Sequence, residues 1–157
     1  MHNSSMHLMK YFRDKYLADM HGATILDVGA MIVKPKKSML SYRNLFGEDF
    51  SYSGMDIEPG VNVDIVGHDS IIEKYDVVIS GQAMEHLCRP WDWLKQLSDY
   101  FIKYICIIAP NTWKEHKWPL DTYRYFPDGM RDLFDYAGIK ELEIFKKGVD
   151  TIGIGTH

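Results

Sequence analysis

Apolar positions along the chain fall into two patterns that alternate. Short, nearly continuous apolar runs read as buried strands: "ATILDV" at 23–28, "FSYSGMDI" at 50–57, "YDVVIS" at 75–80 and "YICIIA" at 104–109. The run "VNVDIV" at 61–66 alternates apolar with polar, as an edge strand does. Elsewhere apolar residues recur every three or four positions. Residues 4–21 predict a helix with Leu8, Tyr11, Phe12, Tyr16 and Leu17 in its pattern, Ser4 or Ser5 as cap and Gly22 as stop. "LSYRNLF" at 40–46 predicts a short helix closed by Gly47, and "WDWLKQLSDYF" at 91–101 an amphipathic one after Pro90. Residues 127–137 open on Pro127 and stop before Gly138, the usual asymmetry of helix ends. "IKELEIFKK" at 139–147 reads as a last strand.

Strands that are apolar throughout, interleaved with helices, imply an α/β fold. The expected form is a doubly wound, mostly parallel, Rossmann-like sheet with helices on both faces. With 157 residues the chain fits one domain, an N-terminal helix at 1–22 and a core at 23–157. In such sheets a ligand lies beyond the carboxyl ends of the strands, where strand order reverses. That directs attention to 27–33, 56–58, 67–69, 80–86 and 110–124.

These ends carry acids and small residues. Asp27 and Gly29 follow the first strand, and a glycine there lets backbone approach a ligand closely. Asp56 ends the second, where a carboxylate can accept from a ribose diol. Gly67, His68 and Asp69 follow the third, and Asp69 could accept from an adenine amine. Ser80, Gly81 and Gln82 follow the fourth, leaving backbone carbonyls open to an ammonium. Taken singly, each is ordinary turn chemistry. Together they mark one edge of the predicted sheet and point to a nucleoside pocket.

The first loop, "TILDVGAMIV" at 24–33, decides between cofactors. A dinucleotide needs further glycines so that its pyrophosphate can meet a helix N-terminus. Here Ala30, Met31 and Ile32 follow Gly29, and Lys34-Pro35 does not open a helix. Asp56 comes 27 residues after Gly29, against roughly 20 in the dinucleotide fingerprint. S-adenosylmethionine has a ribose diol, an adenine amine, an ammonium and a carboxylate, and no pyrophosphate.

The remaining numbers narrow the partners. Formal net charge is −4, which speaks against nucleic acid. Lys34, Lys36 and Lys37, and Lys114, His116 and Lys117, read as solvated loops. Cys88 and Cys106 make neither a disulfide framework nor a tetrahedral zinc set, and the spacing shows no metal-ligand cluster. "MHNSSMHLMK" has no signal core and "ICIIA" at 105–109 is too short to span a bilayer, so a cytoplasmic protein without a membrane segment is expected.

"ILDVGAM", "YSGMDIEPGVNVDIV", "YDVVISGQAMEHL" and "IIAPNTWKEHKWPLDTYRYFPDGM" resemble the successive motifs of class I S-adenosylmethionine-dependent methyltransferases. The likeness is greatest to small methyltransferase-domain proteins with an Asp-Ile-Glu-Pro-Gly turn and a later His…Pro-x-Asp-x-x-Arg segment, and runs from about 23 to 138. It implies S-adenosyl-L-methionine as cofactor and S-adenosyl-L-homocysteine as product. It places Asp27, Gly29 and Ala30 at the methionine end, Asp56 on the ribose, Ile57 beside the adenine, and His68 and Asp69 on the adenine side. Ser80, Gly81 and Gln82 pass the sulfonium, and Tyr42 and Arg43 meet the carboxylate.

Three departures stand out. The usual Gly-x-Gly is reduced to Gly29-Ala30, "SDYFIKY" replaces the common Pro-Gly-Gly turn, and only 19 residues follow Gly138. The last suggests a sheet trimmed at its C-terminal hairpin, with an exposed edge open to a homodimer. Methyl transfer is an in-line displacement in which the protein supplies alignment. His116 and His86 are the candidate bases, and Trp113, His116, Tyr123 and Arg124 the candidate acceptor contacts for a small-molecule or sugar-like substrate. Asp121 pairing with Arg124 is the structural alternative for that loop. A non-catalytic cofactor- or partner-binding module of the same fold is the rival to an enzyme.

Overall fold

Strand interiors set the architecture. In β1 (Thr24–Val28) and β4 (Tyr75–Gly81) almost every residue is buried, so both faces of the sheet must be covered. The computed structural model describes residues 3–35 and 40–157; Lys36 and Lys37 lie outside them. The other elements are α1 (Asn3–Tyr16), α2 (Arg43–Phe46), β2 (Ser51–Asp56), β3 (Ile65–Val66), α3 (Pro90–Ser98), β5 (Phe101–Pro110), α4 (Pro127–Ala137), β6 (Lys140–Lys147) and β7 (Asp150–Thr156).

Among the described residues, seven strands form one sheet in the order β3-β2-β1-β4-β5-β7-β6. The first five are parallel, and β7 runs antiparallel to both β5 and β6. Order reverses between β1 and β4, which opens a crevice beyond their carboxyl ends. Successive side chains point to opposite faces. Leu26, Val78, Ile105 and Ile107 therefore pack with Leu94 and Leu97 of α3 and Met130 and Phe134 of α4. Ile25, Val77, Ile79, Cys106 and Ile108 pack with Leu8, Met9 and Phe12 of α1 on the other side.

The 19 residues after Gly138 build the complete hairpin β6–β7, so the sheet is not trimmed. β7 was invisible in sequence because Gly153 and Gly155 weaken the strand signal. Both glycines are packing requirements. A Cβ at Gly153 would lie 2.7 Å from the Phe134 ring, and one at Gly155 would collide with the Ile139 side chain. The open edge expected beside β5 is covered by β7, which removes that ground for a homodimer. The outer strand is β6, "KELEIFKK", whose charges resist edge pairing.

Other boundaries differ from expectation too; the helix expected at 40–46 begins only at Arg43. The predicted edge strand 61–66 pairs only through Ile65 and Val66, because Asn62 adopts φ 72° and turns the chain. Helix α1 ends at Tyr16 rather than 21. Helix α3 ends at Ser98, and Phe101, fully buried, already pairs with Tyr75 in the sheet. A two-residue turn at Asp99-Tyr100 therefore does the work of the absent Pro-Gly-Gly. Among the described residues no helix is long and apolar enough to cross a membrane.

Candidate active site

The crevice at the strand-order reversal holds a cleft of about 600 Å³. Its floor is Val28, Gly29 and Ala30. Gly29 takes φ 83°, and a Cβ there would lie 2.6 Å from that of Ala83, so no larger residue fits. The N–H groups of Gly29 and Ala30 both donate to the Met55 carbonyl, at 2.9 and 3.0 Å, fixing the turn against β2.

Asp56 lines the cleft at the end of β2. One oxygen accepts from the Met31 N–H at 3.0 Å and the other from the Ile57 N–H at 2.8 Å. A carboxylate offers about four acceptor positions, so two remain for a ligand diol. Ile57, 71% exposed, and His68 stand beside it in the lining. The His68 ring stacks on Tyr100 with Nδ1 3.2 Å from the phenol oxygen, and burial holds its pKa below the usual histidine value. Gly81 and Gln82 form the opposite wall. Gln82 takes φ 60° and donates through Nε2 to Asp150 at 3.0 Å.

Five of the proposed cofactor contacts do not line this cleft. Asp27 is buried below the floor, accepts from the Tyr52 hydroxyl, and is pushed up to about 7 by burial. Ser80 donates to the Val28 carbonyl at 2.6 Å, tying β4 to β1. Asp69 is exposed, away from the lining. Tyr42 is fully buried against Gly81 with its hydroxyl bonded to Ser5. It is a core side chain because its ring, placed before a four-residue helix, fills the space under β4. Arg43 packs over Tyr52, its Nε on Asn62 at 2.7 Å and its terminal nitrogen on Asp64. Leu40 and Ser41 of that segment reach the cleft instead.

The far wall holds His86, Leu87, Trp93, His116, Lys117, Trp118 and Pro119. The Lys34 ammonium lies 5.8 Å from the centre of the Trp118 ring, so the loop after β1 meets the 113–119 loop. Behind the two histidines is Glu85, whose side chain is fully buried. Its Oε1 lies 3.7 Å from His86 Nε2 and 3.8 Å from His116 Nε2. Burial raises the Glu85 carboxyl to about 7. His86 Nδ1 donates to the Leu120 carbonyl. The His116 N–H donates to Asp121 at 2.6 Å, and the ring Nδ1 lies 3.5 Å from the same carboxylate.

Asp121 and Arg124 do pair, through two bonds of 2.6 and 2.7 Å. The guanidinium holds the Asp121 carboxyl well below the usual range. Arg124 also donates to the Trp113 carbonyl at 3.0 Å. Trp113 and Arg124 border a separate surface hollow, and Tyr123 faces the Cys88 carbonyl at 3.5 Å. His116 alone of the four proposed acceptor contacts reaches the main cleft. Sequence reading placed Trp118 in the acceptor loop, where it does line the cleft, but missed Glu85 and Trp93; a glutamate next to His86 in a turn gave no hint that it would be buried.

No protein-family model matches this chain, and no curated protein matches its sequence. Solved structures match its fold over nearly all its length. Magnesium protoporphyrin IX methyltransferase from Synechocystis PCC 6803, with SAH bound, has a TM-score of 0.68 at 12% identity, covering 96% of this chain and 80% of that one. A SAM-dependent methyltransferase from Aquifex aeolicus has 0.63 at 17%, covering 96% and 97%. The fold is that of the class I S-adenosylmethionine-dependent methyltransferases. A third neighbour, the N-terminal domain of EvdMO1 in the presence of SAH and D-fucose, has 0.60 at 14%, covering 99% and 83%. The complete C-terminal hairpin agrees with this fold, as does the cleft's position at the strand-order reversal.

Proposed function

We propose that this chain is an S-adenosylmethionine-dependent methyltransferase acting on a small-molecule acceptor that carries a hydroxyl. The observation that carries the reading is Asp56, lining the cleft beside the Gly29 turn at the strand-order reversal. In this reading Asp56 accepts from the ribose diol, Ile57 and His68 flank the adenine, and Gly29, Ala30, Gly81 and Gln82 pass the methionine portion. The acceptor enters under Trp118 and meets the wall made by His86 and His116, backed by the buried Glu85, which together polarise its hydroxyl.

Transfer needs acceptor oxygen, methyl carbon and sulfur in line, and a closed cleft supplies that alignment. The thinned glycine loop fits this cofactor, since no pyrophosphate has to approach the backbone. Cofactor-bound neighbours of the same fold, one in the presence of a free sugar, are consistent with this assignment.

Calorimetric titration with S-adenosylhomocysteine tests the reading. The unaltered chain is expected to bind it, and not to bind NAD. Asp56→Ala is expected to weaken binding by about tenfold or more, the loss of a charge-assisted hydrogen-bond pair. Equal affinity in both proteins, or preference for NAD, would overturn the assignment. Cofactor binding without turnover on any hydroxyl acceptor would favour the non-catalytic module.

A further inference from the structure

We propose that Glu85, His86 and His116 form a binding site for a divalent first-row transition metal ion of the zinc type, set in the acceptor wall of the cleft. Each residue offers one ligand atom, and all three atoms lie within 4.8 Å of one another. Glu85 supplies the first argument. Its side chain is fully buried, and neither carboxylate oxygen has a hydrogen-bond partner among the described residues. Buried carboxylates are ordinarily paired. An unpartnered carboxylate whose Oε1 faces two imidazoles calls for a cation between them.

The histidines supply the second. A carbonyl is an acceptor only, so His86 Nδ1 must carry the proton it gives to Leu120, and Nε2 is left to ligate. His116 is oriented the same way, with Nδ1 3.4 Å from the Lys114 carbonyl and 3.5 Å from Asp121. Asp121 is itself clamped by Arg124. A carboxylate or carbonyl behind each ligating imidazole is the usual support of a metal site. Bonds of about 2.0–2.1 Å put ligand atoms roughly 3.0–3.5 Å apart. The separations of 3.7 and 3.8 Å from Glu85 to the two histidines need close by less than an ångström, and the two imidazole nitrogens, within 4.8 Å of each other, must also draw together.

Two imidazoles and one carboxylate suit zinc, iron or cobalt better than magnesium or calcium. Three protein ligands leave positions open, and because His86 and His116 line the cleft, those positions face it. The consequence for substrate rests on the methyltransferase reading: the acceptor oxygen binds the ion. Its hydroxyl proton passes to solvent, its electron pair forms the bond to the methyl carbon, and the carbon–sulfur pair returns to sulfur. The products are a methyl ether, S-adenosylhomocysteine and a proton.

Titration of the chelator-treated full chain with Co²⁺, followed by visible absorption, tests the site. One equivalent is expected to bind, with ligand-field bands of a four- or five-coordinate ion. Glu85→Gln and His116→Ala are each expected to lower affinity about tenfold or more. His21→Ala, an exposed histidine before β1, is expected to change nothing. Should Glu85→Gln fail to fold, His116→Ala, in an exposed loop, carries the test. No uptake by the unaltered chain, or uptake undiminished in the variants, would overturn the site. S-adenosylhomocysteine binding by the same metal-free chain reports separately on the methyltransferase reading, so either proposal can fail alone.

Discussion

Asp27 separates what a residue type suggests from what its surroundings make of it. An acid after the first strand looked like a ligand contact, yet it lies under the cleft floor, bonded by Tyr52. Its folded pKa of about 7 exceeds the free value near 4, so the folded chain holds more protons than the unfolded chain between those pH values. Stability attributable to this group therefore falls as pH rises from about 4 to about 7, by on the order of 4 kcal/mol, and is level above. Asp27→Asn keeps an acceptor for Tyr52 and removes the ionisation. Its melting temperature is expected to exceed that of the unaltered chain at pH 8 and to match it near pH 4. An equal deficit at both pH values would mean that burial does not penalise this carboxylate.

Asp56, unlike Asp27, lines the cleft. Its turn chemistry and its place at a strand end were both legible, and it reaches the cleft while also holding the Met31 and Ile57 N–H groups. Tyr42 and Arg43 were not legible. Nothing in "SYRNLF" says which side chains face the core, and that depends on the short helix packing on α1.

At the scale of elements, the periodic helices and the apolar strands were readable because one physical requirement, burial on a face, fixes their spacing. β7 was not, because its glycines answer to α4 rather than to the strand itself. Gly153→Val is expected to drive a side chain into Phe134 and Met130 and to destabilise by about 1–3 kcal/mol, several degrees of melting temperature. An unchanged melt would show that α4 can step back from the sheet. The 113–124 loop depends instead on a charged clamp. Arg124→Lys keeps the charge but loses the two-pronged grip on Asp121 and the bond to the Trp113 carbonyl. Faster proteolytic cleavage within this loop is expected, with S-adenosylhomocysteine affinity within about twofold, since surface changes of this kind cost little elsewhere. Unaltered cleavage would assign the loop's order to its other contacts.

At the scale of the molecule, the parallel sheet and the location of its crevice followed from the alternation of strands and helices alone. The far wall followed only in part: His86 and His116 were legible at their strand ends, while Glu85 and Trp93 were not. Glu85 and His86 follow β4, while His116 follows β5, and only the pairing of those two strands brings them together. No spacing rule links residues 30 positions apart through a sheet, so the cluster was hidden while the strand-end acids were visible. The same topology sets the Gly29 floor and this wall face to face across one cleft.

A crystal structure of the chain with S-adenosylhomocysteine tests that arrangement directly. The account expects the ribose hydroxyls within about 3 Å of the Asp56 carboxylate, hydrogen-bond range, and the sulfur turned toward His86 and His116. A ligand bound elsewhere, or a cleft that stays closed to it at saturating concentration, would contradict the account.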